Sequence, residues 1–474
     1  MNKNANRETI LSTANNLRWE VGDNLHDTLM ESIYENATSI ANKVVVYPDK
    51  KPAFSLDRTL DKILTSKYLG FPIMFLILGM VFWVTIVGAN IPSTLISSLL
   101  VDNLHPILKN FTSSFIPLWL SGLLIDGAYL AMAWVVSVML PPMAIFFPIY
   151  TLLEDFGYLP RVAFNMDSLY KKAGAHGRQA LTMAMGFGCN AAGVVAARVI
   201  DSPRERLIAI ITNNFSLCNG RWPTQILIAT IFIGSMVPAY LAGLVSAAAV
   251  VFIAILGISF SLIVSWGLSK TLLKGEASAF SLELPPYRPP RILQTLYTSL
   301  IDRTIFVLWR AIVFAIPAGM VIWLVANIKI DEVSIANYFI NWADPIAYII
   351  GLNGIIILAY IIAIPANEIV IPTILMLTVT NLGLTSVGAG SGVMFQPESA
   401  ADIATVLYAG GWTLLTGINL MLFSLLHNPC STTIFTIYKE TKSVRWTLVS
   451  TFLPIIMGLV VTFFVTQIWR LFSN

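Results

Sequence analysis

Seven stretches of this chain are each long and apolar enough to cross a lipid bilayer, which removes most folds from consideration. A hydrocarbon core about 30 Å thick takes about 20 residues of helix. Residues 70–90, 122–152, 206–233, 241–268, 304–327, 404–434 and 446–470 meet that requirement. Inside lipid the backbone must satisfy its own hydrogen bonds, so a spanning segment of this length reads as a helix. Of 474 residues 56% are hydrophobic and only 12% charged, against about 25% charged in a soluble domain. There is no polar shell to solvate a core so apolar. The expectation is an all-α polytopic membrane protein whose first partner is the lipid bilayer.

Two further apolar stretches carry helix-breaking chemistry at their centres. Residues 180–198 contain Gly186-Phe187-Gly188-Cys189-Asn190, and residues 352–380 contain Pro365-Ala366-Asn367-Glu368. Both read as re-entrant hairpins rather than crossings. The first is followed by a broken helix holding Asn213-Asn214-Phe215-Ser216-Leu217-Cys218, the second by a helix ending in His427-Asn428-Pro429-Cys430. Two similar halves inserted with opposite sense, an inverted repeat of gate-like units, is the architecture of many secondary transporters. The match is coarse, because Cys189 to Cys218 spans 29 positions and Glu368 to Cys430 spans 62. A polar insert around Gly388-Ala389-Gly390-Ser391-Gly392 accounts for much of the excess.

Lysine and arginine counts set the expected orientation through the positive-inside rule. Residues 1–69 hold nine, and 154–178, 198–206, 270–310 and 439–445 hold four, three, six and three. The alternate loops 91–121, 234–240, 327–351 and 381–403 hold only Lys109 and Lys329. The N-terminus is expected in the cytoplasm and, with seven crossings, the C-terminus outside. No early apolar stretch reads as a signal peptide. The expected divisions are a cytoplasmic helical tail over 1–55, a first repeat with its following helix over 56–272, a proline-rich cytoplasmic connector over 273–303, and a second repeat over 304–474. In the tail, Val21, Leu25, Leu29, Ile33, Ala37 and Ile40 follow helical spacing. Tyr47-Pro48-Asp49-Lys50-Lys51-Pro52 reads as a linker.

Helix breaks at membrane depth persist where they line a cavity or are buried in protein, and here they coincide with residues able to hold a cation. Cys189 and Asn190 sit on the first hairpin, Cys218 beside Arg221 and Pro223, Glu368 on the second hairpin, and Cys430 after Pro429. Thiolates with an amide and a carboxylate suit a borderline first-row cation such as Fe(II) or Mn(II). Alternatively the cysteines are small residues that let helices pack closely. No pair has a CxxC-type metal spacing. An acid within an apolar stretch costs about 2.5–3.5 kcal/mol on insertion scales, which makes Glu368 a functional candidate unless its hairpin is shallow. Arg221 is the matching cation, read either as a partner of Glu368 or as a helix C-terminal group. Asp126 is a pathway acid or an interfacial cap. Glu154 and Asp155 concentrate cations at a pore mouth, or cap a helix and pair with Arg161. His26, His105 and His176 fall in expected loops and read as solvated, while His427 is a weaker ligand candidate. The chain has no HExxH pair, no GxSxG elbow and no GxxxxGK[ST] loop, so neither those hydrolytic chemistries nor a GTP site is expected. Nothing in it points to nucleic acid.

Ordered motifs then match a known family. Glu154-Asp155-Phe156-Gly157-Tyr158, running through Arg161-Val162-Ala163-Phe164-Asn165-Met166-Asp167, resembles the LEDSGYxARAAFxMD stretch of the ferrous iron transport protein B family. Gly186 to Asn190 resembles its GFGCN motif, and Cys218-Asn219-Gly220-Arg221 its C-x-A-R segment. Glu283-Leu284-Pro285-Pro286-Tyr287-Arg288 is similar to its MELPPYR loop, Ala366-Asn367-Glu368-Ile369-Val370 to its A-K-E-x-V, and Pro429-Cys430 to its late P-C. The resemblance covers roughly residues 55–470. It implies a membrane domain of two gate-like repeats that moves Fe(II) inward across a bacterial inner membrane, with cysteines along the ion path. It also implies a GTPase, expected here as a separate small subunit docking on residues 1–55, the remnant of a helical domain. A small SH3-like accessory protein and a homo-oligomer are further implied partners. Three departures bear on metal preference: Asn190-Ala191-Ala192-Gly193 replaces N-V-P-A, Asn213-Asn214-Phe215 stands where Pro-Phe is common, and Asn367 occupies a lysine position. Competing readings are a Mn(II) or nucleoside carrier with the same repeats, and a non-conducting regulatory membrane subunit.

Overall fold

The structure, a computed structural model, describes residues 25–44, 56–66, 68–274, 291–330, 333–382 and 400–473, together with Thr13 and Tyr287. The Gly388–Gly392 insert, the 47–52 linker, the His26 side chain and residues 275–286 and 288–290 of the connector lie outside the described residues. Two short helices, α1 (Leu25–Val44) and α2 (Leu56–Leu64), precede the first long rod, α3 (Gly70–Ser113). The first half continues with α4 (Leu118–Asp155), the amphipathic α5 (Tyr158–Lys172), the pair α6 (Gln179–Gly188) and α7 (Asn190–Ala196), then α8 (Pro203–Thr212), α9 (Trp222–Met236) and α10 (Ala239–Lys270). The second half runs α11 (Ile292–Asn327), α12 (Ile335–Ile349), α13 (Gly354–Ile362), α14 (Asn367–Leu382), α15 (Ala400–Ala409), α16 (Leu414–Leu426), α17 (Ser431–Thr441) and α18 (Val444–Ser473).

Among the described residues six helices are long and apolar enough to cross a membrane, or seven if α12 and α13, bent by 110°, count as one span. This is a multi-pass membrane protein. Where sequence placed a loop at 91–121, α3 continues as helix to Ser113 across Pro92 and a π-helical stretch at Ser98–Leu104. Pro92 removes one N–H from the helix, and the π-helical stretch begins six residues later; within it Ser98 Oγ donates to Leu95 O at 3.0 Å. Residues 206–233 are not one crossing but two helices separated by a break. Residues 404–434 are likewise cut, first at Gly410-Gly411 and again at His427. The expected loop 327–351 holds α12 and a two-residue antiparallel ladder, Lys329–Ile330 with Val333–Ser334, so among the described residues the regular elements are helical apart from that ladder.

Packing follows from which helices are apolar all round. In α3, α10 and α18 the most apolar windows are 18%, 28% and 22% buried, whereas the window across α16 and α17 is 78% buried. The broken elements therefore form the centre and the uninterrupted rods the lipid-facing rim. The two halves meet where α4 packs on α11. A methyl added at Gly127 would come within 3.1 Å of the Gly319 carbonyl, and one added at Gly319 would overlap the Gly127 carbonyl. Further crossings pair α7 with α17 and α9 with α16. At one end, Arg161 is 1% exposed and joins α5 to α2 through Asp61 at 3.0 Å, with its guanidinium 4.1 Å from the Tyr287 ring.

Candidate functional site

Four chain breaks, two from each half, surround one cavity. At the first, Cys189 is extended (φ −150°, ψ 120°) between the C-terminus of α6 and the N-terminus of α7. Gly186 and Gly188 fit there because a side chain at either would strike Asn213, Ser216 or Phe146. At the second, α8 ends at Thr212 and the chain runs irregularly past Cys218 before Trp222-Pro223 restarts a helix. Proline is favoured in a first helical turn, whose N–H groups have no intrahelical partner. At the third, α13 ends at Ile362 and Ala366 adopts φ −152°, ψ 122° before Asn367 opens α14. At the fourth, His427-Asn428-Pro429-Cys430 separates α16 from α17.

Backbone and side-chain hydrogen bonds tie the breaks together. The Asn219 N–H donates to Gly188 O at 3.0 Å and the Ser431 N–H to Ile364 O at 2.8 Å. Asn213 Nδ2 donates to Asn190 O at 2.8 Å. The Asn190 carboxamide is best satisfied with its nitrogen donating to Gly186 O (2.9 Å) and Ser216 O (3.3 Å). Arg221 is 1% exposed. It donates to Asn214 O and Leu425 O at 3.0 Å each, His427 O at 3.2 Å and Asn428 O at 3.1 Å. Of its two sequence readings, the helix C-terminal one matches: the guanidinium caps carbonyls left open at the end of α16, while no ion pair to Glu368 forms.

The cavity offers about 30 Å³ to the centres of water-sized particles, room for about two waters. Cys189, Asn190, Cys218, Glu368 and Cys430 all line it. Asn367 Nδ2 donates to Cys218 Sγ at 3.7 Å, and its Oδ1 lies 3.1 Å from His427 Nε2. His427 is fixed in turn by Nδ1 at 2.9 Å from Ser424 O. Cys430 Sγ lies 3.2 Å from Thr433 Oγ1. Glu368 extends over Gly220, where an added methyl would meet its Cδ at 2.5 Å. Among the described ion pairs none includes Glu368. Among the described residues, no three His, Cys, Asp or Glu side chains lie close enough to share one ion. The donors are spread around the wall and do not form a closed cage.

Three sequence-selected acids lie elsewhere. Asp126, 8% exposed in a π-helical stretch of α4, sits 2.9 Å from both His105 Nε2 and Lys109 Nζ. His105 is thus a partner of a buried carboxylate and not the solvated loop residue expected, because α3 extends far enough to bring it there. His176 is also buried, with Nδ1 accepting from the Arg178 N–H at 3.0 Å. Glu154 and Asp155 are exposed, and Asp155 accepts from Thr295 Oγ1 at 2.7 Å. Arg161, offered as a partner in one of their two readings, pairs with Asp61. Sequence reasoning missed Gly220, Thr433 and the thioethers of Met139 and Met143 as cavity residues. The four-residue spacing of the two methionines on one helix was the available signal.

Comparison with known proteins gives two family matches. The family described as Nucleoside recognition (Gate) matches residues 136–232 and 308–444, one segment in each half. Ferrous iron transport protein B C terminus matches residues 250–302. The Fe(2+) transporter FeoB of Staphylococcus aureus (strain MSSA476) is 29% identical over 449 residues, covering 92% of this chain and 62% of that protein. That of Synechocystis sp. is 28% identical over 439 residues, covering 92% and 66%. That of Campylobacter jejuni is 25% identical over 428 residues, covering 86% and 64%. The chain thus spans a little under two thirds of the length of these curated relatives. No solved structure matches it.

Proposed function

Since this chain belongs to the ferrous iron transport protein B family and carries its membrane portion, we propose that it passes Fe(II) through the central cavity into the cytoplasm. The observation that carries the reading is the meeting of Cys189, Asn190, Cys218, Glu368 and Cys430, from four breaks in two halves, on one small cavity. In this reading the Glu368 carboxylate supplies the formal charge that offsets a divalent cation's dehydration, and the three cysteine sulfurs favour Fe(II) over harder ions. Asn190 and Asn367 act as neutral oxygen donors at the two hairpin tips. A wall of dispersed donors suits transit, because an ion held by several ligands at once would leave slowly.

The two halves act as inverted gate-like repeats, 56–272 and 304–474, joined by the 273–303 connector. The matching bends at Cys189 and Ala366 support that reading, as do the two separate Gate segments. The N-terminus faces the cytoplasm of a bacterial inner membrane, which places Glu154 and Asp155 at the inner mouth, where paired acids draw cations. Residues 1–55 dock a GTPase, with a small SH3-like protein and further copies of this chain as additional partners. Asp126 is held outside the path by His105 and Lys109.

Transport of a nucleoside is the reading that the Gate description favours. A cavity with room for about two waters favours an ion instead. Uptake of Fe(II), Mn(II) and a labelled nucleoside into proteoliposomes tests the proposal. Fe(II) uptake that falls in the Glu368→Gln, Cys189→Ser and Cys218→Ser variants, each still monodisperse, is the expected result. Nucleoside uptake without metal uptake would replace the ion by that cargo. Uptake indifferent to all three substitutions would leave a non-conducting subunit.

A further inference from the structure

Met139 and Met143 line the same cavity as the three cysteines. Both lie on α4, one turn apart, so helical geometry sends their side chains down one face. Met143 is 4% exposed and Met139 partly buried. Pro141 and Pro142 lie between them and interrupt the hydrogen bonding of the rod at that level. Five sulfur-bearing residues thus line the cavity: two methionines from the rod and three cysteines from the chain breaks. Methionine often fills gaps in a core as a flexible apolar chain. Here the gap is unfilled, and its remaining lining sets three cysteines, three asparagines, two threonines and one carboxylate among Gly188, Gly220, Val307, Ala311, Pro365 and Ala366.

Thioethers discriminate sharply among cations. They are soft, uncharged and need lose no proton to bind, so they add little for Mg(II), Mn(II) or Fe(II) and much for monovalent d10 ions. We propose that this cavity is also a binding site for soft monovalent cations, Cu(I) and Ag(I), with Met139 and Met143 as ligands alongside the cysteines. The inference rests on the reading of the cavity as a cation site and extends it to a second ligand class. A soft ion seated there occupies the space that Fe(II) must cross, so Ag(I) acts as a blocker.

The test uses the full chain in detergent micelles with silver nitrate in chloride-free buffer and no iron present. Equilibrium dialysis should show one Ag(I) per chain. Absorption spectroscopy at the silver edge should show a sulfur-only first shell. The Met139→Leu/Met143→Leu double variant, close in volume to the parent, should bind at least about tenfold more weakly, equivalent to about 1.4 kcal/mol. Protein labelled with selenomethionine gives a readout that needs no substitution: a silver–selenium contact should appear, and should vanish in the double variant. Silver bound only through oxygen or nitrogen, or a labelled protein without the selenium contact, would overturn the proposal. So would a double variant of parental affinity and shell. Because silver binding is read without iron, loss of the Fe(II) reading in uptake assays and loss of this one are separate results.

Discussion

At the tip of the first hairpin Cys189 sits at φ −150°, ψ 120° and is followed by Asn190; at the tip of the second, Ala366 sits at φ −152°, ψ 122° and is followed by Asn367. Both halves place one extended residue directly before the second helix of the pair, alone in the first half and after the turn at residues 363–365 in the second, yet the side chains delivered differ. The first tip brings a thiol, and the second brings a carboxylate two residues after its bend. The supports differ as well. The Asn190 segment is held by neighbours within its own half, Asn213 and Ser216. The Asn367 segment reaches across to Cys218 of the other half and to His427. A shared fold thus carries unequal chemistry: one tip is braced locally, and the other is wired to both halves.

The largest test of that asymmetry is Arg221→Leu. It strips donors from the carbonyls of Asn214, Leu425, His427 and Asn428. The His427 carbonyl keeps its bond from Asn214 Nδ2 at 3.1 Å. A buried acceptor left unpaired costs about 1–3 kcal/mol, so the loss at the other three should prevent recovery of monodisperse protein in size-exclusion chromatography. A variant that melts with the parent would show that the two halves do not depend on this clamp. Next is the contrast of charge. A hydrogen bond or contact to a charged group is worth about 1.5–3 kcal/mol, so Glu368→Gln should lower Fe(II) uptake about 10- to 100-fold, and Cys189→Ser by less. Equal losses at both tips would erase the difference drawn here. Smaller again is Gly220→Ala, whose methyl must displace the Glu368 carboxylate. Overpacking of this kind costs about 1–3 kcal/mol, and uptake should drop several-fold while the protein still purifies folded.

The smallest effect concerns how each hairpin begins. Before α6 stands His176, whose pKa burial pushes below its ordinary value, partly offset by the Glu205 carboxylate. Before α13 stands Asn353, whose Oδ1 accepts from the Ile356 N–H at 2.9 Å and does not titrate. The unfolded chain therefore takes up a proton at His176 more readily than the folded one. That contribution to stability is fully present above the unfolded value near 6.5 and is lost as pH falls through the lower folded value. Hydrogen exchange between pH 7.5 and 5.5 should show α6 loosening on acidification while α13 does not. His176→Gln should flatten the response, and equal loosening of both hairpins would remove His176 as its source.

Much of this was legible beforehand, for reasons of chemistry. Long apolar stretches must be helices in lipid, and Gly-Phe-Gly-Cys-Asn and Pro-Ala-Asn-Glu interrupt one, so the two hairpin breaks and most of the rods could be read directly. Residues 206–233 and 404–434, read as single crossings, are instead cut. What could not be read depended on register and distance. Pro92 with its neighbouring Ser, Thr and Asn residues looks like a loop, yet the helix runs through it and continues in a π-helical stretch. That shift brings His105 and Lys109 to Asp126, a cluster that no local pattern announces. Arg221 and Glu368 look like natural partners by charge, but four carbonyls outcompete one carboxylate for the guanidinium. Met139 and Met143 pass for core in any apolar run, and only the cavity beside them distinguishes them.

The closeness of Gly127 to Gly319 has a mechanical meaning. Where α4 and α11 cross, peptide groups touch with no side chain between them, so the separation of the halves is set by bare backbone and cannot be adjusted by rotating a side chain. Such a joint tolerates pivoting but not spreading, and it leaves the short hairpins as the parts free to give when something must pass.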